Sequence, residues 1–426
     1  MIHPPALHRQ ARHIVRVLRR HGHQAYWVGG CVRDRLLGRE PADYDVATSA
    51  SVEAVRALFP HTVPVGASFG VVLVIEEGVP FQVATFRGKT LEEDAAHRDF
   101  TVGALFFDPE TGRVLDPVGG LEDLRLRRIR AVGDPASRFQ EDPLRPLRAV
   151  RLAATLGFSI EARTLAAVQR FASLPTRASP ERIRDELIRI FTGPDPSRGL
   201  SLLSETGLLA HLLPEVEALK GVPQPSRYHP EGDVFEHTRR ALAFLDRPSV
   251  TLAFATLLHD VGKPETLARD PGGRIRFLGH ETRGAETARR LLERLRFPRK
   301  EAARVAACIE NHLRLARARQ MRPGKLKRLL RRETFEDELA LLRADTLAKG
   351  GDLEAWEYLR ERARALTAEQ LRPPPLLRGK DLLALGIPPG PRIGRLLREV
   401  EALQLEGRLK TREEALAHVR RRMDAP

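Results

Sequence analysis

Tyr26-Trp27-Val28-Gly29-Gly30-Cys31-Val32-Arg33-Asp34, with Asp43-Tyr44-Asp45-Val46 shortly downstream, is the stretch on which the reading of this chain turns. The aromatic and β-branched run predicts a strand. The glycines end it where a helix is expected to start, with Leu36-Leu37 as its apolar beginning. Between a strand and a helix, paired glycines let backbone N–H groups approach a triphosphate, the helix N-terminus favours its charge, and Arg33 can pair with phosphate oxygens. A Gly-Gly turn alone is usually an ordinary tight turn. The aspartates change that, because residues two apart on an extended strand point from the same face. Asp43 and Asp45 can then hold Mg²⁺ against nucleotide phosphates, activating a 3′-hydroxyl and neutralising the leaving pyrophosphate.

Around this stretch, residues 1–110 alternate helix and strand patterns. An amphipathic helix is expected near Leu7–Arg20, and strands at Ala25–Val28, Val71–Ile75, Phe81–Phe86 and Ala104–Phe107. From about Leu144 onward strand signals nearly vanish, and Leu/Ala/Arg-rich segments at helical spacing take over. The fold class is therefore α+β: a small mixed sheet with helices, followed by a helical remainder. Breaks rich in Pro or Gly at Gly193–Pro196, Gly221–Pro230 and Arg372–Pro375 mark joints. We expect a head over 1–140, a helical neck over 141–220, a further helical domain over 221–350 and a helical tail over 351–426.

The 426 residues carry 71 Lys+Arg against 56 Asp+Glu, a formal charge of +15 spread along the whole chain, which favours a polyanionic partner. Only Cys31 and Cys308 are present, so neither a disulfide framework nor a cysteine metal site is expected. The first twenty residues are broken by His and Arg, and nowhere do eighteen apolar residues run together. A reduced, cytoplasmic protein without membrane insertion is the expectation.

Further motifs follow in order: His97-Arg98-Asp99-Phe100-Thr101-Val102-Gly103-Ala104, then Glu141-Asp142-Pro143-Leu144-Arg145-Pro146-Leu147-Arg148-Ala149-Val150-Arg151. With the glycine turn and the paired aspartates, this series resembles the successive motifs of class II tRNA nucleotidyltransferases and bacterial poly(A) polymerases. The departures are His97, where the family usually has Arg, and Gly103, where it has Asn. The resemblance implies that Gly29, Gly30, Arg33 and Arg98 contact the incoming nucleotide and that Asp43 and Asp45 bind Mg²⁺ and are catalytic. It also implies that Asp142, Arg145, Arg148 and Arg151 form the base-reading and phosphate surface. The chemistry agrees: cytosine N4 donates while N3 and O2 accept, so a carboxylate beside a guanidinium can pair with this edge. Asp142 and Arg145, three apart on an expected helix, would share a face. Ser179-Pro180-Glu181-Arg182-Ile183 with Glu186 resembles the next family motif, a helix start capped by Ser179 that we read as a brace for the base-reading helix.

An independent set lies downstream: His237, the pair His259-Asp260 closing an apolar helix, and Asp345. Its order resembles an HD-type metal phosphohydrolase domain. Imidazole and carboxylate ligands together suit Mn²⁺, Fe²⁺, Ni²⁺ or Zn²⁺. Lys263, His280 and His312 are candidate additions, either for a second metal or phosphate or only as pocket lining. The resemblance further implies a tail that grips tRNA.

Which nucleotides are added is also a matter of resemblance. CCA-adding relatives carry a flexible loop between a Phe-Arg pair and the Arg-Arg-Asp motif, which reorients the base-reading pair from cytosine to adenine. Here only Gly88–Ala96 separates Phe86-Arg87 from His97. A shortened loop implies addition of two cytidines from CTP, with a separate A-adding enzyme finishing the end. The alternatives are full CCA addition from CTP and ATP, poly(A) polymerase, or an RNA-binding phosphohydrolase with an inactive head. The HD set is expected to clear 2′,3′-cyclic or terminal phosphates from damaged tRNA ends.

Overall fold

A computed structural model describes residues 4–64, 70–225 and 232–424. The fold is α+β. The sheet strands are β1 (Ala25–Val28), β2 (Asp45–Thr48), β3 (Thr62–Pro64), β4 (Val71–Glu76), β5 (Val79–Thr85), β6 (Phe106–Phe107) and β7 (Val114–Leu115), in the order β3-β4-β5-β2-β1-β6-β7. Neighbours run antiparallel except β2 and β5. The register matters for function. Val28 at the end of β1 pairs with Asp45 at the start of β2, so the glycine turn and the aspartates meet at one end of the sheet. The helix α1 (Pro4–Arg20) covers the sheet through Ala11, Ile14, Val15 and Leu18, all fully buried at the 3.6-residue spacing of one face. Along β5, Val79, Phe81 and Val83 are buried while Pro80 and Gln82 are exposed, the alternation of a half-covered strand.

Some details differ from the sequence expectation. The helix after the glycines, α2 (Gly30–Leu36), starts in the glycine turn itself and ends where Leu36-Leu37 were expected to begin it. Gly38, at φ 69°, turns the chain out of the helix two residues later. The strand expected at Ala104–Phe107 shrinks to Phe106–Phe107, because Thr101–Gly103 forms a 3₁₀ turn. Beyond Leu144 short strands do persist: Ser159–Ile160 pairs with Arg128–Ile129, and Leu267–Arg269 with Ile275–Phe277.

The remaining helices that matter around the sheet are α3 (Val52–Leu58), α4 (Leu91–Ala96), α5 (Gly120–Arg125), α6 (Pro135–Glu141), α7 (Arg145–Leu156), α8 (Ala162–Arg170) and α9 (Pro180–Phe191). Asp123 on α5 is fully buried and accepts from Thr101 Oγ1 at 2.5 Å, from Arg130 Nε at 2.7 Å and from Arg128 Nε. It thereby anchors the turn that directly follows Arg98-Asp99. Asp123→Ala is expected to cost roughly 3 kcal/mol, the low end for a broken buried ion pair because both guanidiniums are partly exposed and can rehydrate. Urea unfolding checks this; a change below about 1 kcal/mol would mean that the network is not structural.

Contacts gather the chain into two compact units, residues 1–190 with 202–212, and 191–201 with 213–426. The expected head and neck fall mostly in the first, and the expected metal domain and tail in the second. Helices stop at the expected joints near Gly193–Pro196 and Arg372–Pro375. The joint Gly221–Pro230 lies partly outside the described residues. The second unit is built on the helices Val234–Ala243, Val250–Leu258, His280–Arg294, Arg299–Leu315 and Phe335–Ala348, whose core includes Phe254 against Phe191 and Phe297. Among the described residues, no helix is long and apolar enough to cross a membrane.

Candidate active site and candidate metal centre

At the end of the sheet Gly29 adopts φ 79° and ψ −128°, a conformation that side chains disfavour, and its N–H donates to the Leu105 carbonyl. A Cβ there would come within 3.9 Å of an Arg98 nitrogen. The turn therefore lies beside Arg98, whose guanidinium is aimed by Asp94 through Nε at 3.1 Å and Nη2 at 2.9 Å and lies over the Phe106 ring. Asp43 is exposed and Asp45 half-buried. Burial, and then the neighbouring Asp43 carboxylate, push the Asp45 carboxyl up to about 6, against the opposing pull of Arg98. A partly desolvated carboxylate with a second carboxylate beside it is a good fit for a divalent cation. Arg33 is paired with Asp34 at 2.7 Å.

The base-reading candidates sit at a helix junction and not on one helix as expected. Asp142 ends α6 in an extended conformation, and Arg145 opens α7. Asp142 Oδ1 accepts from the Leu144 N–H at 3.1 Å, and Oδ2 from Arg182 at 2.8 Å. Burial alone would raise this carboxyl, but the Arg182 and Leu144 bonds and the positive charge of Arg182 and Arg148 hold it below the usual carboxylate range. Arg145 is buried and donates to the carbonyls of Arg138 at 2.8 Å and His97 at 3.2 Å and to Glu141 at 2.9 Å. Arg148 pairs with the half-hidden Asp99 at 2.8 Å, and Arg151 with Glu186 at 2.5 Å. These two arginines are held by carboxylates, whereas the resemblance implied a phosphate surface. Ser179 precedes α9 as expected, its Oγ accepting from the Arg182 N–H at 3.4 Å.

The second constellation converges fully. His237 Nε2 lies 3.0 Å from Asp345 Oδ1, 3.3 Å from His259 Nε2 and 3.8 Å from Asp260 Oδ2. His259 Nε2 is 3.2 Å from Asp260 Oδ2. On the other side, Asp260, His280 and His312 bring ligand atoms within 4.8 Å of one another. All are buried. His259, His280 and His312 each have Nδ1 against a backbone carbonyl, of Thr256 at 2.8 Å, Phe277 at 2.7 Å and Ile309 at 2.6 Å. That fixes the tautomer and leaves Nε2 lone pairs facing the cluster, the arrangement of metal-binding imidazoles. His280 Nε2 is buried with no hydrogen-bond partner. Burial, followed by the field of His259, pushes His312 down to about 3, so it stays neutral. Burial alone would raise Asp260, but His259 and Lys263 hold it well below the usual carboxylate range. This donor set fits a divalent transition metal.

Local sequence explains the convergence. Asp233 caps the helix that carries His237, and Ser249 the apolar helix that ends at His259. A Cβ on Gly262 would run into the His280 carbonyl and come within 2.6 Å of the Gly284 nitrogen, so this glycine lets the His259-Asp260 turn meet the His280 helix. Lys263 is buried, pairs with Asp260 at 2.7 Å and donates to Gln224 at 2.6 Å. Two supporting residues escaped the sequence reading although both lie at helical i,i+4 spacing from a residue it had singled out: Asp94, which aims Arg98, and Lys349, which pairs with Asp345 at 2.7 Å.

A sheet end that carries paired aspartates, a glycine turn and an aimed arginine defines a nucleotidyltransferase head. Known families agree. Residues 25–130 match the poly A polymerase head domain, 157–220 the probable RNA and SrmB-binding site of polymerase A, and 277–419 a putative tRNA nucleotidyltransferase domain 2. An A-adding tRNA nucleotidyltransferase of Deinococcus radiodurans is 39% identical over 421 residues, covering 92% of this chain and 94% of that one. A CC-adding tRNA nucleotidyltransferase of Thermus thermophilus is also 39% identical, covering 92% of each. The crystal structure of the Bacillus stearothermophilus CCA-adding enzyme in complex with CTP is similar over 100% of both chains, with a TM-score of 0.75 and 30% identity. The chain belongs to the tRNA nucleotidyltransferase family of enzymes.

Proposed function

We propose that this enzyme adds two cytidines to the 3′ end of tRNA from CTP, and that its buried histidine–aspartate centre hydrolyses phosphates on damaged tRNA ends. In the head, Gly29, Gly30, Arg33 and Arg98 receive the triphosphate, while Asp142 accepts from cytosine N4 and Arg145 donates to N3 or O2. Mg²⁺ held by Asp43 and Asp45 would neutralise the phosphates and favour the 3′-oxygen as nucleophile.

The restriction to cytidine rests on one observation. The segment between β5 and the His97-Arg98-Asp99 motif is a short helix, α4, capped by Thr90, and the carbonyls at its end are tied down. The Ala96 carbonyl accepts from Arg138 at 3.0 Å, and that of His97 from Arg145 at 3.2 Å. A segment so short, bonded to the very arginine that would have to move, supports a fixed reading geometry. Overall identity does not discriminate, since the A-adding and CC-adding relatives are equally identical at 39%. The test is to supply tRNA ending at the discriminator base with CTP, ATP or both, and size the product. Two added nucleotides are expected whenever CTP is present. Growth by three with both nucleotides would establish CCA addition. A single adenosine added only to tRNA already ending in CC would establish A addition.

For the second centre, the carrying observation is the shared Asp260. Its Oδ2 faces His237 and His259, while Oδ1 lies 3.5 Å from His280 Nε2. A metal bound among these groups would supply charge to a phosphoester and acidify a water for attack on phosphorus. Lys263 keeps Asp260 ionised, and the carbonyl-bound imidazoles turn their Nε2 atoms toward the cluster. Attack of water on a 2′,3′-cyclic phosphate with cleavage of its P–O3′ bond frees the 3′-hydroxyl that the head requires and leaves a 2′-phosphate, which a second hydrolysis releases.

A further inference from the structure

We infer that Arg182 is a positioning residue for nucleotide choice, fixing the carboxylate of Asp142 in the direction that accepts from a cytosine amino group and rejects a uracil carbonyl; this rests on Asp142 reading the base edge. Asp142 has two tethers. The Leu144 N–H, on Oδ1 at 3.1 Å, belongs to its own junction and can do no more than stop the side chain from leaving the start of α7. Arg182 reaches across from the first turn of α9, forty residues later in sequence, and holds Oδ2 at 2.8 Å. Its side chain is half exposed while that of Asp142 is largely covered.

The chemistry of the choice makes this contact consequential. Cytosine presents an N4 donor where uracil presents an O4 acceptor. An ionised carboxylate can only accept, so it pairs with the first and repels the second, provided that it stays ionised and its free lone pairs stay aimed. Arg182 secures both conditions: it favours the charged form and occupies one side of Oδ2, leaving a single direction open. Arg145 cannot take over this task. Its guanidinium already donates to Arg138, Glu141 and His97, and its backbone N–H reaches the Asp142 carbonyl at 3.1 Å and not the carboxylate. The neighbouring contact from α9, Glu186 on Arg151, is one in which both partners are mostly buried and neither touches Asp142. Arg182, one turn before Glu186 on the same helix, bonds the Asp142 carboxylate itself.

The experiment compares wild type, Arg182→Ala, Arg182→Lys and Asp142→Ala in the full chain, measuring kcat and KM for CTP and UTP on hydroxyl-ended tRNA, with a thermal melt for each. Arg182→Ala is expected to lower the CTP/UTP selectivity about tenfold or more, with KM for CTP raised and the melt nearly unchanged. Arg182→Lys, which restores a charge but not the planar fork, is expected to recover part of the selectivity. A selectivity within about twofold of wild type in Arg182→Ala, beside a loss in Asp142→Ala, overturns the role of Arg182 alone. Unchanged selectivity in Asp142→Ala overturns the base-reading assignment and the inference with it.

Discussion

Asp43→Asn and Asp45→Asn are each expected to reduce CTP incorporation by about three orders of magnitude, the loss of several kcal/mol of metal-centred transition-state stabilisation. Hydrolysis by the histidine–aspartate centre should stay within about twofold of wild type, because substitutions at separate sites with no shared partners act independently. The substitution is close to isosteric, so the β1–β2 register and the buried Val46 and Ala47 are left alone. Stability should not fall either. Asp45 is pushed up to about 6 by burial and by Asp43, so its charge opposes folding, and an amide removes that charge. An Asp45→Asn protein that melts at or above the wild-type temperature yet no longer incorporates labelled CTP would separate catalysis from folding in a single residue. Near-normal incorporation in both variants would sink the assignment of the head.

Local chemistry made most of this legible in the sequence. Glycines between a strand and a helix, carboxylates two apart and a histidine–aspartate pair at the end of an apolar helix are each weak alone and become legible through their order along the chain. What escaped were contacts made at the seams. Asp142 and Arg145 look like one helical face because they lie three apart, but the Pro143 between them separates two helices, and a residue before proline is driven out of the helical region. Arg182 is legible in the sequence only as part of a motif read as a brace for the base-reading helix. Its partner is forty residues away, and only the packing of α9 reveals the bond. The same holds for Arg148 and Arg151, which resemble a basic stripe in sequence and prove to be paired with Asp99 and Glu186. Periodicity shows which face a residue shares within its own element. It does not show which charge from another element waits there.

His259→Ala is expected to abolish processing of tRNA ending in a 2′,3′-cyclic phosphate while leaving extension of hydroxyl-ended tRNA unchanged. His259 Nε2 stands within 3.8 Å of His237, Asp260 and Asp345 together, so its removal opens one triad without disturbing the sheet unit. The choice of residue matters. Asp260 contributes to both triads and would seem the stronger target, but its carboxylate also balances the buried Lys263 ammonium at 2.7 Å. Asp260→Ala leaves that cation unpaired, which costs about 3–5 kcal/mol and confuses lost chemistry with lost folding. Truncating the imidazole leaves a polar cavity that water can fill, so the helices Val250–Leu258 and Phe335–Ala348 should keep their packing. Metal content gives a readout independent of turnover: bound transition metal per chain should fall in His259→Ala, and fall further when His237→Ala is added. A variant that loses metal, keeps its melting temperature, extends hydroxyl-ended tRNA at the wild-type rate and stalls only on the cyclic phosphate would place the two activities in series. If His259→Ala still processes the damaged end as wild type does, the buried centre serves another reaction.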